Sequence, residues 1–170
     1  MIDKYQLHIE TIAKEFGCKL IQKPNLPGMM YVEYGYIEIP TIENQIHYLT
    51  GLHELSHFAL GHTQGRPPHS DKRLYFDIGV LRSEAQAWEG ALNWCIDEIQ
   101  DESRRFMWDT CLGSYYHCYL WCKGVSSTLG NGNRHYVEFI YDHPDEYFES
   151  IMKRIQWNLK DWKQKYKGKL

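Results

Sequence analysis

Apolar positions recur at three- and four-residue spacing in several separate stretches of the chain. Leu7, Ile9, Ile12, Ala13 and Phe16 mark a first helix over residues 3–16, and Gly17 supplies its C-terminal stop. Ile42, Ile46, Leu49, Leu52, Leu55 and Ala59 give a second over residues 41–60, closed by Gly61. Leu81, Ala85, Trp88, Leu92, Cys95 and Ile99 form the stripe of a third. An aromatic-rich helix is expected over residues 104–123, and a last one from Asp145 to about Tyr166, with Phe148, Ile151, Ile155, Leu159, Trp162 and Tyr166 on one face.

Between the first two helices the period changes. Residues 18–22 read as a short strand, and Pro24, Pro27 and Gly28 break the chain after it. In residues 29–40 the alternation of Tyr31, Glu33, Tyr36 and Glu38 around Gly35 predicts two short strands joined by a tight bend. Residues 62–79, with Gly65, Pro67 and Pro68, read as a long loop of the kind that often borders a site, and residues 126–134 as another loop. The expected fold is α+β: mostly helical, with a small N-terminal β-sheet packed against the second helix.

A chain of 170 residues with 43% hydrophobic and 15% aromatic residues fills one core of ordinary size. The expectation is therefore one domain over residues 1–170, with a core in 1–100 and a helical extension in 101–170. No apolar run approaches the ~18 residues of a membrane span, and MIDKYQLHIE lacks the apolar centre of a secretory signal, so a cytoplasmic protein is expected. Five cysteines, an odd number in a chain this large, point to reduced thiols.

The chemistry concentrates in the second helix. His53-Glu54-Leu55-Ser56-His57 is an H-E-x-x-H sequence, and its two histidines, four residues apart, leave the same face one turn apart. Two imidazoles so placed can share one zinc ion, while Glu54 can act as general base on a water that the metal makes acidic. With nine His in the chain, chance gives roughly 0.04 such matches, so the helical setting is needed to make the motif persuasive.

A catalytic zinc takes three protein ligands. His62 is near, but five residues beyond His57 it is turned about 140° away on a continued helix, so an exposed His near a helix C-terminus is the expectation. The extended pattern with a third His would place it at position 63, which is Thr63. Glu84, at the start of the third helix, is the expected third ligand, and Glu89 is its competitor.

The run from His53 to His62, HELSHFALGH, together with Ser83-Glu84-Ala85-Gln86-Ala87-Trp88, resembles the ImmA/IrrE family of zinc metallopeptidases. The resemblance spans roughly residues 3–100, with Ser56 in place of the usual Gly. It implies His53, His57 and Glu84 as zinc ligands and Glu54 as the base. It also implies a cytoplasmic metalloendopeptidase, often carried by phages or mobile elements, acting on a specific protein substrate such as a helix-turn-helix repressor. A competing reading keeps the zinc helix as a relic in a non-enzymatic protein-binding or DNA-binding module that works through the C-terminal helices.

From residue 153 onward Lys153, Arg154, Lys160, Lys163, Lys165, Lys167 and Lys169 face Asp161 alone, a balance of +6 within a total of -3. A packed amphipathic helix with a solvated basic face explains this tail better than a nucleic-acid surface does. Cys111, His117, Cys118 and Cys122 lack paired-knuckle spacing and read as packing residues. Tyr115, Tyr116, His117, His135 and Tyr136 are unranked candidates for stabilising an oxyanion, and His69 is read as a solvated loop residue.

Overall fold

A computed structural model describes residues 2–24, 27–62, 78–113 and 145–155. By its internal contacts the chain divides into two compact units, Met1–Asp97 and Glu98–Leu170. The fold is α+β, and the first unit carries all of the described strands.

That unit runs α1 (Ile2–Glu15), β1 (Lys19–Lys23), β2 (Met29–Tyr31), a 3-10 turn (Val32–Tyr34), β3 (Tyr36–Pro40), α2 (Gln45–Ala59) and α3 (Ile78–Trp94). The sheet order is β1-β3-β2. The central β3 pairs parallel with β1, Leu20 opposite Ile37, and antiparallel with β2, Met30 opposite Ile37. Gly35, at φ +71°, lets the chain turn from the 3-10 segment into β3. Strand periodicity then divides β3 into two faces: Ile37 and Ile39 are wholly buried, while Tyr36 and Glu38 are half-buried on the other side. On that outer face Tyr36 stacks on Tyr31 and Glu38 pairs with Lys23 at 3.0 Å.

The chain leaves β3 still paired, Thr41 N–H donating to the Lys23 carbonyl, so α2 begins at Gln45 rather than at residue 41. Asn44 is its cap, accepting from the His47 N–H at 2.9 Å. α2 packs against α1, β2, β3 and α3 and is buried from Tyr48 through His57. Its apolar stripe predicts a one-sided helix; enclosure on several sides buries its polar residues as well.

Close approach is built into these contacts. A Cβ on Gly51 would collide with Ile9 of α1 and meet Ile39 of β3 at 3.2 Å. A Cβ on Gly90 of α3 would collide with the Ser56 hydroxyl and meet Ser56 Cβ at 2.9 Å. Beside Gly90, Ala87 and Ala91 are fully buried, so α3 turns small residues toward its neighbours.

The third helix ends at Trp94 although its apolar stripe continues to Ile99. The Tyr48 hydroxyl takes the Ile96 N–H at 3.3 Å and also pairs with His8, so the chain turns onto side-chain partners after one last helical bond from Cys95. Ile99 is buried all the same.

The second unit contains α4 (Asp101–Met107), a π-helical turn (Trp108–Leu112) and α5 (Asp145–Arg154). Arg104 joins its parts, donating to the Ile155 carbonyl and to Asp101, both at 2.6 Å. The expected helix ends at residues 123 and 166 and the loop at 126–134 lie outside the described residues. Cys18 and Cys95 are free thiols, and burial pushes the Cys18 thiol up to about 11. No described helix is long and apolar enough to cross a membrane.

The Ser56–Gly90 contact has a measurable consequence. Gly90→Ala gains about 1 kcal/mol of helix propensity, yet overpacking of about 1–3 kcal/mol is expected to make it net destabilising. In a Ser56→Gly background the same change is expected to stabilise. Urea unfolding of the four proteins measures this coupling, and an equal effect in both backgrounds would contradict the contact.

Candidate metal centre

Helical spacing aims His53 and His57 the same way, and their Nε2 atoms lie 3.0 Å apart. From α3, Glu84 brings one carboxylate oxygen within 3.0 Å of His53 Nε2 and the other within 3.4 Å of His57 Nε2. The three residues form a group able to hold a metal ion, with ligand atoms all within 4.8 Å of one another. Two imidazole nitrogens and a carboxylate oxygen present converging lone pairs that a single cation satisfies together. Glu84 fills the expected third position and Glu89 is not part of the group. Glu84 is also its most exposed member, with 30% of its side chain open against 9% and 6% for the histidines.

The rings are held from behind. The Trp88 ring, one turn along α3 from Glu84, lies against His53 with centroids 4.2 Å apart. His53 Nδ1 is buried without a hydrogen-bond partner among the described residues. His57 has one: its Nδ1 lies 2.8 Å from His62 Nδ1.

The position of His62 corrects the expectation of a solvated residue. Extrapolating α2 turns His62 away, but the helix ends at Ala59 and Gly61, at φ +67°, reverses the chain. Gly61 N–H bonds to the Phe58 carbonyl and His62 N–H to that of His57, the paired bonds of a Schellman turn. His62 is thereby returned to the ligand ring, half-buried, with its other nitrogen 3.1 Å from Gln86 Oε1. Burial, reinforced by the neighbouring His57, pushes its imidazole below the ordinary value.

The two carboxylates of the site are driven in opposite directions. Burial raises Glu54 from 4.5 to about 7, with His57 drawing it down and Glu84 pushing it up. Burial opposes charge on Glu84 too, but hydrogen bonds from His53 and His57 outweigh it and hold that carboxyl well below the usual range. Two side chains of one type thus differ within one site: Glu84 is held ionised, while the proton affinity of Glu54 is raised. Gly28 contributes to the desolvation, since its Cα packs so closely that a Cβ there would be 2.9 Å from Glu54 Oε1.

H-E-x-x-H spacing and the Glu-Ala helix make His53, Glu54, His57 and Glu84 readable from sequence. Gly28 and Gln86 carry no such signal, because each acts through a loop or a helix face that only the fold brings near. The oxyanion candidates Tyr115, Tyr116, His117, His135 and Tyr136, together with His69, Cys118, Cys122 and the tail beyond Ile155, lie outside the described residues.

In the metal-free chain the raised Glu54 works against stability as it ionises. Its contribution is fully present below about 4.5 and lost as pH rises through about 7, an effect of up to about 3 kcal/mol. Glu54→Gln is therefore expected to be more stable relative to wild type at pH 8 than at pH 5. Urea unfolding of both metal-free proteins at the two pH values checks the sign.

No protein-family model, no curated protein and no solved structure matches this chain.

Proposed function

We propose that the protein is a zinc-dependent metallopeptidase that hydrolyses a peptide bond in a protein substrate. The observation that carries this reading is the convergence of His53, His57 and Glu84 beside a buried Glu54 on the same helix. Two imidazoles and one carboxylate are a ligand set of catalytic zinc, which leaves room for water or substrate. When bound, zinc supplies Lewis acidity to the scissile carbonyl and to the attacking water.

The chain's own residues do the rest. One oxygen of the Glu54 carboxylate takes a proton from the attacking water and then delivers it to the departing amide nitrogen. Desolvation suits Glu54 to both halves of that task, because a group with a proton affinity near neutrality can accept and release a proton with small driving force. Glu84, kept ionised by its two imidazole partners, supplies negative charge to the cation and does not compete for the proton.

The resemblance of residues 53–62 and 83–88 to the ImmA/IrrE family supplies the substrate class: an intracellular protein, of which a helix-turn-helix repressor is the first to try. Cytoplasmic location belongs to the same reading.

Elemental analysis of purified protein is expected to give about one zinc per chain, falling sharply in Glu84→Ala. Glu54→Gln is expected to retain the metal and lose peptidase activity by about 100-fold or more. Wild-type cleavage rates in a zinc-loaded Glu54→Gln protein would remove the assigned base.

A further inference from the structure

His57 turns Nε2 toward His53 and Glu84, which leaves Nδ1 on the opposite side of the ring, 2.8 Å from His62 Nδ1. The other nitrogen of His62 faces Gln86 Oε1 at 3.1 Å. Two neutral imidazoles cannot both donate or both accept across the 2.8 Å contact, so one proton arrangement must be chosen. The Gln86 oxygen makes the choice. It can only accept, so His62 carries its proton on Nε2 and its Nδ1 is a lone pair. His57 must then donate from Nδ1, so that on metal binding its Nε2 offers a lone pair to the ion in place of the hydrogen bond it gives Glu84 in the metal-free chain.

We infer that Gln86 and His62 are positioning residues that fix His57 in the tautomer able to ligate a metal. The inference rests on the metal-site reading and deepens it. His53 has no comparable partner among the described residues: its Nδ1 is buried and unbonded, and its ring is steadied by Trp88 instead. The two ligand rings are thus held by different means, one by packing and one by a directed chain of hydrogen bonds. A partner of this kind on a ligating histidine, removed, typically costs about 10–100-fold in metal affinity.

The chain of contacts also joins the two helices at a second point. Glu84 reaches α2 through the ligand atoms, and Gln86 through His62 just past the end of α2. His62 arrives by the Schellman turn at Gly61, so its place depends on backbone bonds that a side-chain substitution leaves intact. His62 is half-buried and Gln86 exposed, which makes both replaceable without opening the core.

The test is a zinc titration of the full-length protein in competition with a chromophoric chelator, paired with absorption spectra of the cobalt-substituted protein. His62→Ala is expected to weaken zinc binding by about 10–100-fold and to alter the cobalt spectrum. His62→Asn places an acceptor oxygen where Nδ1 was, and is expected to recover most of the affinity and the wild-type spectrum. Gln86→Ala should weaken binding, and adding it to His62→Ala should weaken it no further, since Gln86 acts through His62. Wild-type protein that binds one equivalent of zinc no more tightly than His62→Ala does would overturn the positioning role and leave the metal site standing. Equal losses in His62→Ala and His62→Asn, tracking a lowered melting temperature of the metal-free proteins, would reduce His62 to a structural residue. Wild-type protein that binds neither zinc nor cobalt would overturn both readings.

Discussion

The separation of α2 and α3 is the constraint on which the candidate site depends. At Ser56 and Gly90 the helices touch so closely that a single added carbon has no room, and Ala87 and Ala91 keep the same part of α3 slim. Glu84 lies less than two turns before Gly90 and Trp88 only half a turn before it, so helix geometry fixes both once Gly90 is seated. A larger residue at that contact would push α3 outward by a fraction of a side chain's width. Hydrogen bonds weaken steeply over such distances, and the Glu84 oxygens already stand at 3.0 and 3.4 Å from their imidazoles. Packing of small residues thus sets the electrostatics of a site one to two turns away.

Burial of α2 makes the arrangement costly and therefore informative. Gln45, Thr50, His53, Glu54, Ser56 and His57 are all among its buried residues. Polar groups removed from water need partners. Thr50 bonds back to the Ile46 carbonyl, and His57 has His62, but the remaining demands of His53, His57 and Glu84 meet at one point. A fold selected for stability alone would fill that point with apolar side chains. His53, His57 and the partly exposed Glu84 satisfy one another by converging, and the opposite displacements of Glu54 and Glu84 follow from burial of the one and imidazole partners of the other.

Much of this is legible in the amino-acid sequence. Periods of 3.6 and 2 locate the helices and strands of residues 2–59, and the four-residue spacing of His53 and His57 dictates their convergence. What escapes is set by tertiary contacts. The apolar stripe through Cys95 and Ile99 runs on, but the Tyr48 hydroxyl draws the Ile96 N–H out of the helix. Rotating His62 away from the ligands assumes a helix that continues, although Gly61 is its stop; a glycine stop taken to its geometric end turns His62 back over His57. Parallel pairing of β1 with β3, and the tight seats of Gly28 and Gly90, depend on residues far apart in the chain and leave no local periodicity.

Gly28 shows how far such a seat can reach into chemistry. Its φ of +89° already favours glycine, and the space a Cβ would need is taken by Thr50 Cγ2 at 2.8 Å and by the Glu54 side chain. Glycine is thus required there on two independent grounds. The close approach of the chain just before β2 helps keep water from Glu54, and loss of water is the largest cause of its raised proton affinity. A side chain forced in at position 28 would have to displace the loop or tilt the carboxylate, and either movement would readmit solvent and draw Glu54 back toward an ordinary glutamate. Glu54 therefore owes part of its raised proton affinity to a neighbour that contributes no functional group at all.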